Sequence, residues 1–213
     1  MDANFIPTVF FTLFFVVDPL GLIPAFIIYL SGYESRRQRL IILRATGVAA
    51  SVSVFFVLFG KVFLNFLGIT PASFLFAGGI LLFLISMDML FARPTRTKVS
   101  KEDIESPGGG DTSVFPLAIP MLCGPGNIAA LLMFSSQADG DTGKIITIVT
   151  ISVIMFIIAG IVMFFSVFIE RLLGETGLSV IQRIMGLILS AMAVQFIING
   201  LNQIGIISLS NLR

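Results

Sequence analysis

The sequence predicts an all-α membrane protein of six transmembrane helices, built as a 3+3 inverted-topology repeat with broken first and fourth helices. Composition is the first reason: 56% of the 213 residues are hydrophobic and 12% are charged, far less charge than a soluble domain carries. The second reason is the recurrence of apolar runs long enough to span a membrane. The third is a repeat marked by Gly and Pro residues at a near-constant offset.

Six apolar runs each have the length needed to cross a hydrocarbon core about 30 Å thick. In chain order they cover residues 5–30, 40–66, 72–91, 114–134, 145–169 and 180–207. The first run does not resemble a cleaved signal peptide, because it lacks a basic start and an A-x-A-like cleavage site. The runs leave almost no sequence for a soluble domain, which indicates a polytopic membrane protein.

The basic residues predict how the helices are oriented. Ten of the 13 Lys and Arg residues lie in or beside the loops that follow the first, third and fifth runs. Cytoplasmic loops carry the excess of basic residues, so both termini are predicted to be extracytoplasmic. The predicted location is the plasma (inner) membrane of a prokaryote, where the chain crosses the lipid bilayer several times.

A shift of about 106 residues superimposes the first three runs on the last three. The matched landmarks are Asp18-Pro19 with Gly124-Pro125, Gly68 with Gly174, Gly79 with Gly186, and Asp88 with Gln195. An odd number of helices in each repeat gives the two halves opposite orientations, an arrangement typical of secondary transporters. Residues 1–91 form the predicted first repeat, 92–112 a cytoplasmic linker, and 113–213 the second repeat.

Two of the runs contain a helix break at matching positions. Asp18 and Pro19 are predicted to begin a new half-helix, with Asp18 as N-cap and Pro19 at the first helical position. Gly124 and Pro125 give the same signal in the fourth run, where Asn127 adds an amide. The free N–H groups and positive dipole ends of two such helix starts predict a site for an anionic group. A simple proline kink would not explain the carboxylate, since a charge at the bilayer centre costs about 2.5–3.5 kcal/mol.

Polar residues in the third and sixth runs are candidates for lining a path or coupling transport to an ion. Asp88 is either a functional acid or an interfacial residue that reaches water, and the sequence leaves both interpretations open. Gln195 and Asn199 have the spacing that places side chains together on one helix face. The full set of path-lining or coupling candidates is Asp88, Gln195, Asn199, Ser86 and Ser190.

Several classes of function are disfavoured by composition. A single cysteine and no histidine exclude an intrachain disulfide and leave a poor ligand set for a transition metal, so no metal site and no cofactor are predicted. A net charge of +1 without a basic patch gives no indication of nucleic acid binding. No nucleophile–base pair or HExxH motif lies within the runs, so the protein is not predicted to be an enzyme.

The stretches "DPLGLIPAF", "AGGILLFLISMDML" and "PLAIPMLCGPGNIA" make the chain resemble the MarC family of integral membrane proteins, a branch of the lysine-exporter superfamily. The resemblance covers essentially the whole chain. It implies a 3+3 inverted repeat and transport of small neutral amino acids such as glycine or alanine.

A small zwitterion suits the predicted site. Its ammonium would meet Asp18, and its carboxylate would meet the backbone N–H groups after Pro19 and Pro125 together with Asn127. The predicted substrate-binding residues are Asp18, Pro19, Gly21, Gly124, Pro125, Gly126 and Asn127. The small residues among them favour a small substrate.

The sequence leaves the coupling ion, the direction of transport and the oligomeric state open. Protons would be coupled through Asp18 or Asp88, and Na+ through carbonyl groups of unwound backbone. A passive small-solute channel and a divalent metal-ion exporter that uses oxygen ligands are the alternative functions. A homo-oligomer is compatible with the sequence but is not indicated by any single feature of it.

Overall fold

The computed structural model describes residues 4–30, 32–91 and 113–205, and these residues form helices joined by short connections. The helices are α1 Phe5–Val17, α2 Ile23–Leu30, α3 Ser35–Phe66, α4 Pro71–Leu90, the π-helical α5 Ser113–Leu122, α6 Pro125–Ala138 and α7 Thr142–Gln203. The predicted linker at 92–112 lies outside the described residues. The all-α class predicted from the sequence is confirmed for the described part of the chain.

Three of these helices are long and apolar enough to cross a membrane, namely α3, α4 and α7. Helix α7 has 62 residues, about three times the length that a single crossing needs. Gly174 (φ 65°, ψ 174°) is the one residue inside it with a non-helical backbone. The sequence predicted a loop between the fifth and sixth runs, and the structure has a kink at Gly174 there, between two helical arms, in place of a longer loop. A single glycine suffices to break the helix there, because glycine adopts positive φ at little cost.

Helix α6 begins where the sequence predicted a helix to begin. Gly124 is its N-cap with an extended backbone (φ −80°, ψ 171°), and Pro125 occupies the first turn. Proline is well tolerated there, because its missing N–H group would have had no intrahelical acceptor. Upstream of this start, the backbone of α5 has the wider π-helical pattern, and the N–H of Cys123 donates to the carbonyl of Ala118 at 2.9 Å.

The predicted helix start at Asp18 and Pro19 is wrong. Asp18 is instead the C-cap of α1, in the left-handed conformation (φ 46°, ψ 58°), and its N–H donates to the carbonyl of Phe14. The next residues form hydrogen-bonded turns, and α2 starts at Ile23. Pro19 and Pro24 both carry the sequence signal for the first turn of a helix. In the structure Pro24 lies in the first turn of α2, and Pro19 lies in the preceding turn.

The second arm of α7, residues 175–203, packs closely against α4 through glycines on both helices. A methyl group built on Gly79 would lie 2.9 Å from the carbonyl oxygen of Ala193. A methyl group built on Gly186 would lie 3.0 Å from the carbonyl oxygen of Ser86. Residue numbers rise along α4 as they fall along α7, so the two helices are antiparallel. Small residues at these positions therefore let the two helix backbones approach closely.

The interior contains two apolar clusters. The Phe134 cluster includes Leu13, Val57 and Met155, and the Phe156 cluster includes Val17 and Ala49. Helices α1, α3 and α7 each contribute buried residues to both clusters, and Ile128 of α6, whose buried residues belong to the Phe134 cluster, packs against the Phe156 cluster. Each of these helices therefore passes through the boundary between the clusters. Four of the buried polar residues lie near that boundary, namely Asp18, Ser53, Asn127 and Ser152.

Candidate functional site

Three buried polar atoms have no hydrogen-bond partner in the described part of the chain. They are Oδ2 of Asp18, Oδ1 of Asn127 and Oγ of Ser152. The three side chains are 5%, 2% and 1% exposed, respectively. A buried polar atom without a partner costs about 1–3 kcal/mol, so such atoms call for a specific explanation.

All three residues lie at the boundary between the two apolar clusters. Asp18 directly follows Val17 of the Phe156 cluster, and Ser152 directly follows Ile151 of the Phe134 cluster. Asn127 lies between Cys123 of the Phe156 cluster and the Phe134-cluster residues that begin at position 129. Ser53 also lies at this boundary, between Ala49 of the Phe156 cluster and Val57 of the Phe134 cluster. We call these four residues the polar layer: Asp18, Ser53, Asn127 and Ser152.

The Asp18 carboxylate lies in the turn between α1 and α2. Its Oδ1 accepts a hydrogen bond from the backbone N–H of Gly21 at 3.1 Å, whereas Oδ2 accepts none. A methyl group built on Gly21 would overlap Oδ2 and the terminal methyl group of Met89. The amide Nε2 of Gln182 donates to the carbonyl of Gly21 at 3.1 Å. Residues of α4 and α7 therefore hold the turn in place around a carboxylate oxygen that is itself free.

The Asn127 amide is anchored at one end only. Its Nδ2 donates to Oγ of Ser53 at 3.1 Å and to Sγ of Cys123 at 3.6 Å. The Ser53 hydroxyl and the Cys123 thiol form a further hydrogen bond at 3.3 Å, which joins the three side chains in a closed set. The amide oxygen stays without a partner. We call Asn127, Ser53 and Cys123 the amide cluster.

The start of α6 offers backbone donors beside the amide cluster. Gly124 provides no side-chain cap, and the N–H groups in the first turn of any helix have no intrahelical acceptor. In the part of the chain that the structure describes, the N–H groups of Gly126 and Asn127 therefore have no capping acceptor. This end of α6 lies against α4. A methyl group built on Gly126 would overlap the side chain of Leu82. A methyl group built on Gly78 would lie 3.3 Å from the carbonyl oxygen of Pro125.

The predicted substrate-binding residues fall into two groups. Asp18, Pro19 and Gly21 lie in the α1–α2 turn, and Gly124, Pro125, Gly126 and Asn127 lie at the start of α6. Helices α1 and α6 pack against each other, but no hydrogen bond joins Asp18 to Asn127 in the described residues. The N–H of Gly21 is used by Asp18 and that of Leu22 by the Asp18 carbonyl. Among the described residues, the N–H groups of Gly21 and Leu22 are therefore already used, whereas those of Gly126 and Asn127 have no acceptor.

The residues predicted to line a path are placed differently. Ser86 and Ser190 donate to carbonyl groups of their own helices at 2.7 Å. Gln195 donates to Asn199 at 2.9 Å, one turn further along α7, and Gln195 is exposed. Asp88 is half-buried. None of these side chains is hydrogen-bonded to the polar layer in the described part of the structure.

Four residues beside the predicted site were not predicted, namely Ser53, Cys123, Ser152 and Gln182. Ser53 belongs to a stripe of small residues on α3 with Ala45 and Ala49, and both alanines are buried. A hydroxyl group in the same helical register as two buried alanines is the one signal that could have singled it out. The other three residues depend on contacts between distant segments.

Comparison with known proteins agrees with this architecture. The family model described as "MarC family integral membrane protein" matches residues 3–205. The chain belongs to the MarC family. It is 34% identical over 196 residues to a UPF0056 membrane protein of Aquifex aeolicus, with 92% of this chain and 91% of the relative covered. It is 33% identical over 193 residues to the UPF0056 inner membrane protein YhgN of Escherichia coli K12, with coverage of 89% and 92%.

The similarity extends to archaea. A UPF0056 membrane protein of Methanocaldococcus jannaschii is 33% identical over 202 residues, with 94% of this chain and 98% of the relative covered. No solved structure matches the chain significantly. The family match and the long apolar helices together establish an integral membrane protein. In the described residues, no three His, Cys, Asp or Glu side chains are grouped in a way that would hold a metal ion.

Proposed function

We propose that this MarC-family protein is a secondary transporter of small neutral amino acids of the glycine and alanine class. The observation that carries the proposal is the free Oδ2 of Asp18, which is buried among apolar helices in a membrane protein. Acidic groups at such depth are expensive and usually lie on substrate or ion pathways. A substrate ammonium or a coupling cation would give this oxygen the partner that the protein does not.

The start of α6 offers a binding site for the carboxylate of the amino acid. The uncapped N–H groups of Gly126 and Asn127 lie at the positive end of a helix dipole, which favours a carboxylate. An acceptor in the α1–α2 turn and donors on α6 complement the two charges of a zwitterion. The absence of room for a methyl group on Gly21 supports a substrate with a small side chain.

The proposed mechanism is alternating access within a 3+3 inverted repeat, with six crossings and both termini outside. Packing between α4 and α7 supports the repeat, because Gly79 meets residues 193 and 197 while its predicted counterpart Gly186 meets residues 86, 89 and 90. The two sets of neighbours are related by the same offset of about 107 that relates the glycines. The landmark glycines Gly68 and Gly174 also share a positive φ, at 70° and 65°.

The test is uptake of labelled glycine and alanine into proteoliposomes under an imposed proton or sodium gradient. Wild type is expected to show saturable uptake, and Asp18→Asn is expected to reduce it to background. Asp139→Asn is the matched control, since Asp18 and Asp139 are the two non-glycine residues with positive φ among the described residues, and Asp139 is exposed. The gradient that drives uptake identifies the coupling ion.

The same vesicles separate the alternative functions. Uptake that neither saturates nor responds to a gradient would indicate a passive channel. Movement of Mg2+ or Mn2+ without amino acids, by correctly inserted wild-type protein, would overturn the proposal in favour of a metal-ion exporter. Equal uptake by wild type and Asp18→Asn would overturn the role given to Asp18.

A further inference from the structure

The amide cluster bears on which part of the ligand Asn127 can contact. The sequence suggested that Asn127 helps to hold the substrate carboxylate, for which the amide nitrogen would be the donor. In the structure that nitrogen already donates to Ser53 and Cys123. The atom of the amide that remains available to a ligand is Oδ1, which can only accept a hydrogen bond.

We propose that Ser53 and Cys123 orient the Asn127 amide so that Oδ1 is a second acceptor for the N–H groups of the substrate ammonium. The proposal rests on the function proposed above and names the feature of the substrate that is selected. Ser53 acts as a positioning residue, because it touches Asn127 and not the ligand. Asn127 makes the selective contact, with its backbone N–H facing the carboxylate and its side-chain oxygen facing the ammonium.

The hydrogen-bond inventory favours this orientation of the amide. Rotating the amide by 180° would let the Ser53 hydroxyl donate to Oδ1, but it would leave both N–H donors of Nδ2 buried without acceptors. Buried carbonyl oxygens without a partner are tolerated more often than buried N–H groups without one. Asn127 is 2% exposed and Ser53 is fully buried, so water from outside does not relieve either arrangement.

Two acceptors at one level of the protein define a requirement on the donor. Contacting both Asp18 and Asn127 takes two N–H groups. Glycine has three and its N-methyl derivative sarcosine has two, but N,N-dimethylglycine has one and the trimethylated glycine betaine has none. Asp18 ends α1 and Asn127 lies in the first turn of α6, and these two helices pack against each other. The protein is therefore expected to prefer glycine to N,N-dimethylglycine, and N,N-dimethylglycine to betaine.

The experiment measures how well unlabelled glycine, N,N-dimethylglycine and betaine inhibit uptake of labelled glycine in proteoliposomes. Wild type is expected to rank them in that order. Ser53→Ala is expected to raise the KM for glycine about three- to tenfold with little change in maximal rate, the effect of one misplaced hydrogen bond. The preference for glycine over N,N-dimethylglycine is expected to shrink in the same variant. Ser166→Ala is the control, because Ser166 is equally buried but donates within its own helix to Met163.

A pair of changes at Asn127 keeps the proposal testable if Ser53→Ala does not fold. Asn127→Asp retains an acceptor at the free end and is expected to keep the preference for glycine over N,N-dimethylglycine. Asn127→Leu, of similar volume, is expected to lose it. A Ser53→Ala variant that behaves like Ser166→Ala, or an Asn127→Leu variant that still prefers glycine, would overturn this inference while leaving transport intact. Wild-type protein that transports no amino acid would overturn the proposed function itself.

Discussion

Two aspartates end helices in the same backbone conformation but in opposite environments. Asp18 ends α1 at φ 46°, and Asp139 ends α6 at φ 45°. Asp18 is 5% exposed, and its Oδ2 has no hydrogen-bond partner among the described residues. Asp139 is exposed and is followed by Gly140, which also has a positive φ of 81°.

The comparison shows what the conformation requires and what it does not. Asn and Gly adopt the left-handed region at least as readily as Asp, so neither turn needs a carboxylate for its shape. At Asp139 water solvates the charge, and aspartate there costs little. At Asp18 the same side chain carries a cost that an asparagine would largely avoid, which indicates that the carboxylate is retained for a ligand.

The largest effect is expected from a methyl group added beside the buried aspartate. Gly21→Ala would drive the new methyl group into Oδ2 of Asp18 and the end of Met89, so uptake of glycine is expected to fall to background. Gly140→Ala is the counterpart at the exposed turn, where nothing lies within 4 Å but φ is 81°. It is expected to lower the free energy of unfolding by about 1–2 kcal/mol and to leave uptake unchanged. Uptake by Gly21→Ala at the wild-type rate would contradict the crowded geometry around Asp18.

A smaller effect, of opposite sign, is expected on stability. Asp18→Asn retains the acceptor for the N–H of Gly21 and removes a buried acid, so the free energy of unfolding is expected to rise, by up to about 3 kcal/mol. Asp139→Asn is expected to change it by less than about 0.5 kcal/mol, as exposed substitutions usually do. Denaturant unfolding in detergent measures both. A loss of stability in Asp18→Asn would mean that the carboxylate serves the fold and not a ligand.

The sequence was sufficient to predict the membrane class, the long helices α3 and α4 and the start of α6. These features depend on hydropathy and on a Gly-Pro start, which act within a few turns of one helix. The start of α2 was missed because Pro19 and Pro24 carry the same local signal, and only the fold decides between them. The sequence indicated a break between the fifth and sixth runs but not that a single residue, Gly174, would make it.

The candidate site was predictable only in part. Asp18 and Asn127 were recognisable, because a carboxylate and an amide are rare in apolar runs beside helix breaks. The partners of Asn127 come from Ser53, 74 residues away, and the turn at Gly21 is held by Gln182, 161 residues away. No periodicity or spacing in one sequence encodes such contacts, so the orientation of the amide emerged only from the structure.

Direct binding of labelled glycine to the purified protein tests the central claim, that the buried carboxylate of Asp18 contacts the substrate. Equilibrium binding to wild type, Asp18→Asn and Asp139→Asn in detergent separates binding from every later step of transport. Saturable binding to wild type and Asp139→Asn, with none to Asp18→Asn, is the predicted result. Equal binding to all three proteins would contradict the claim.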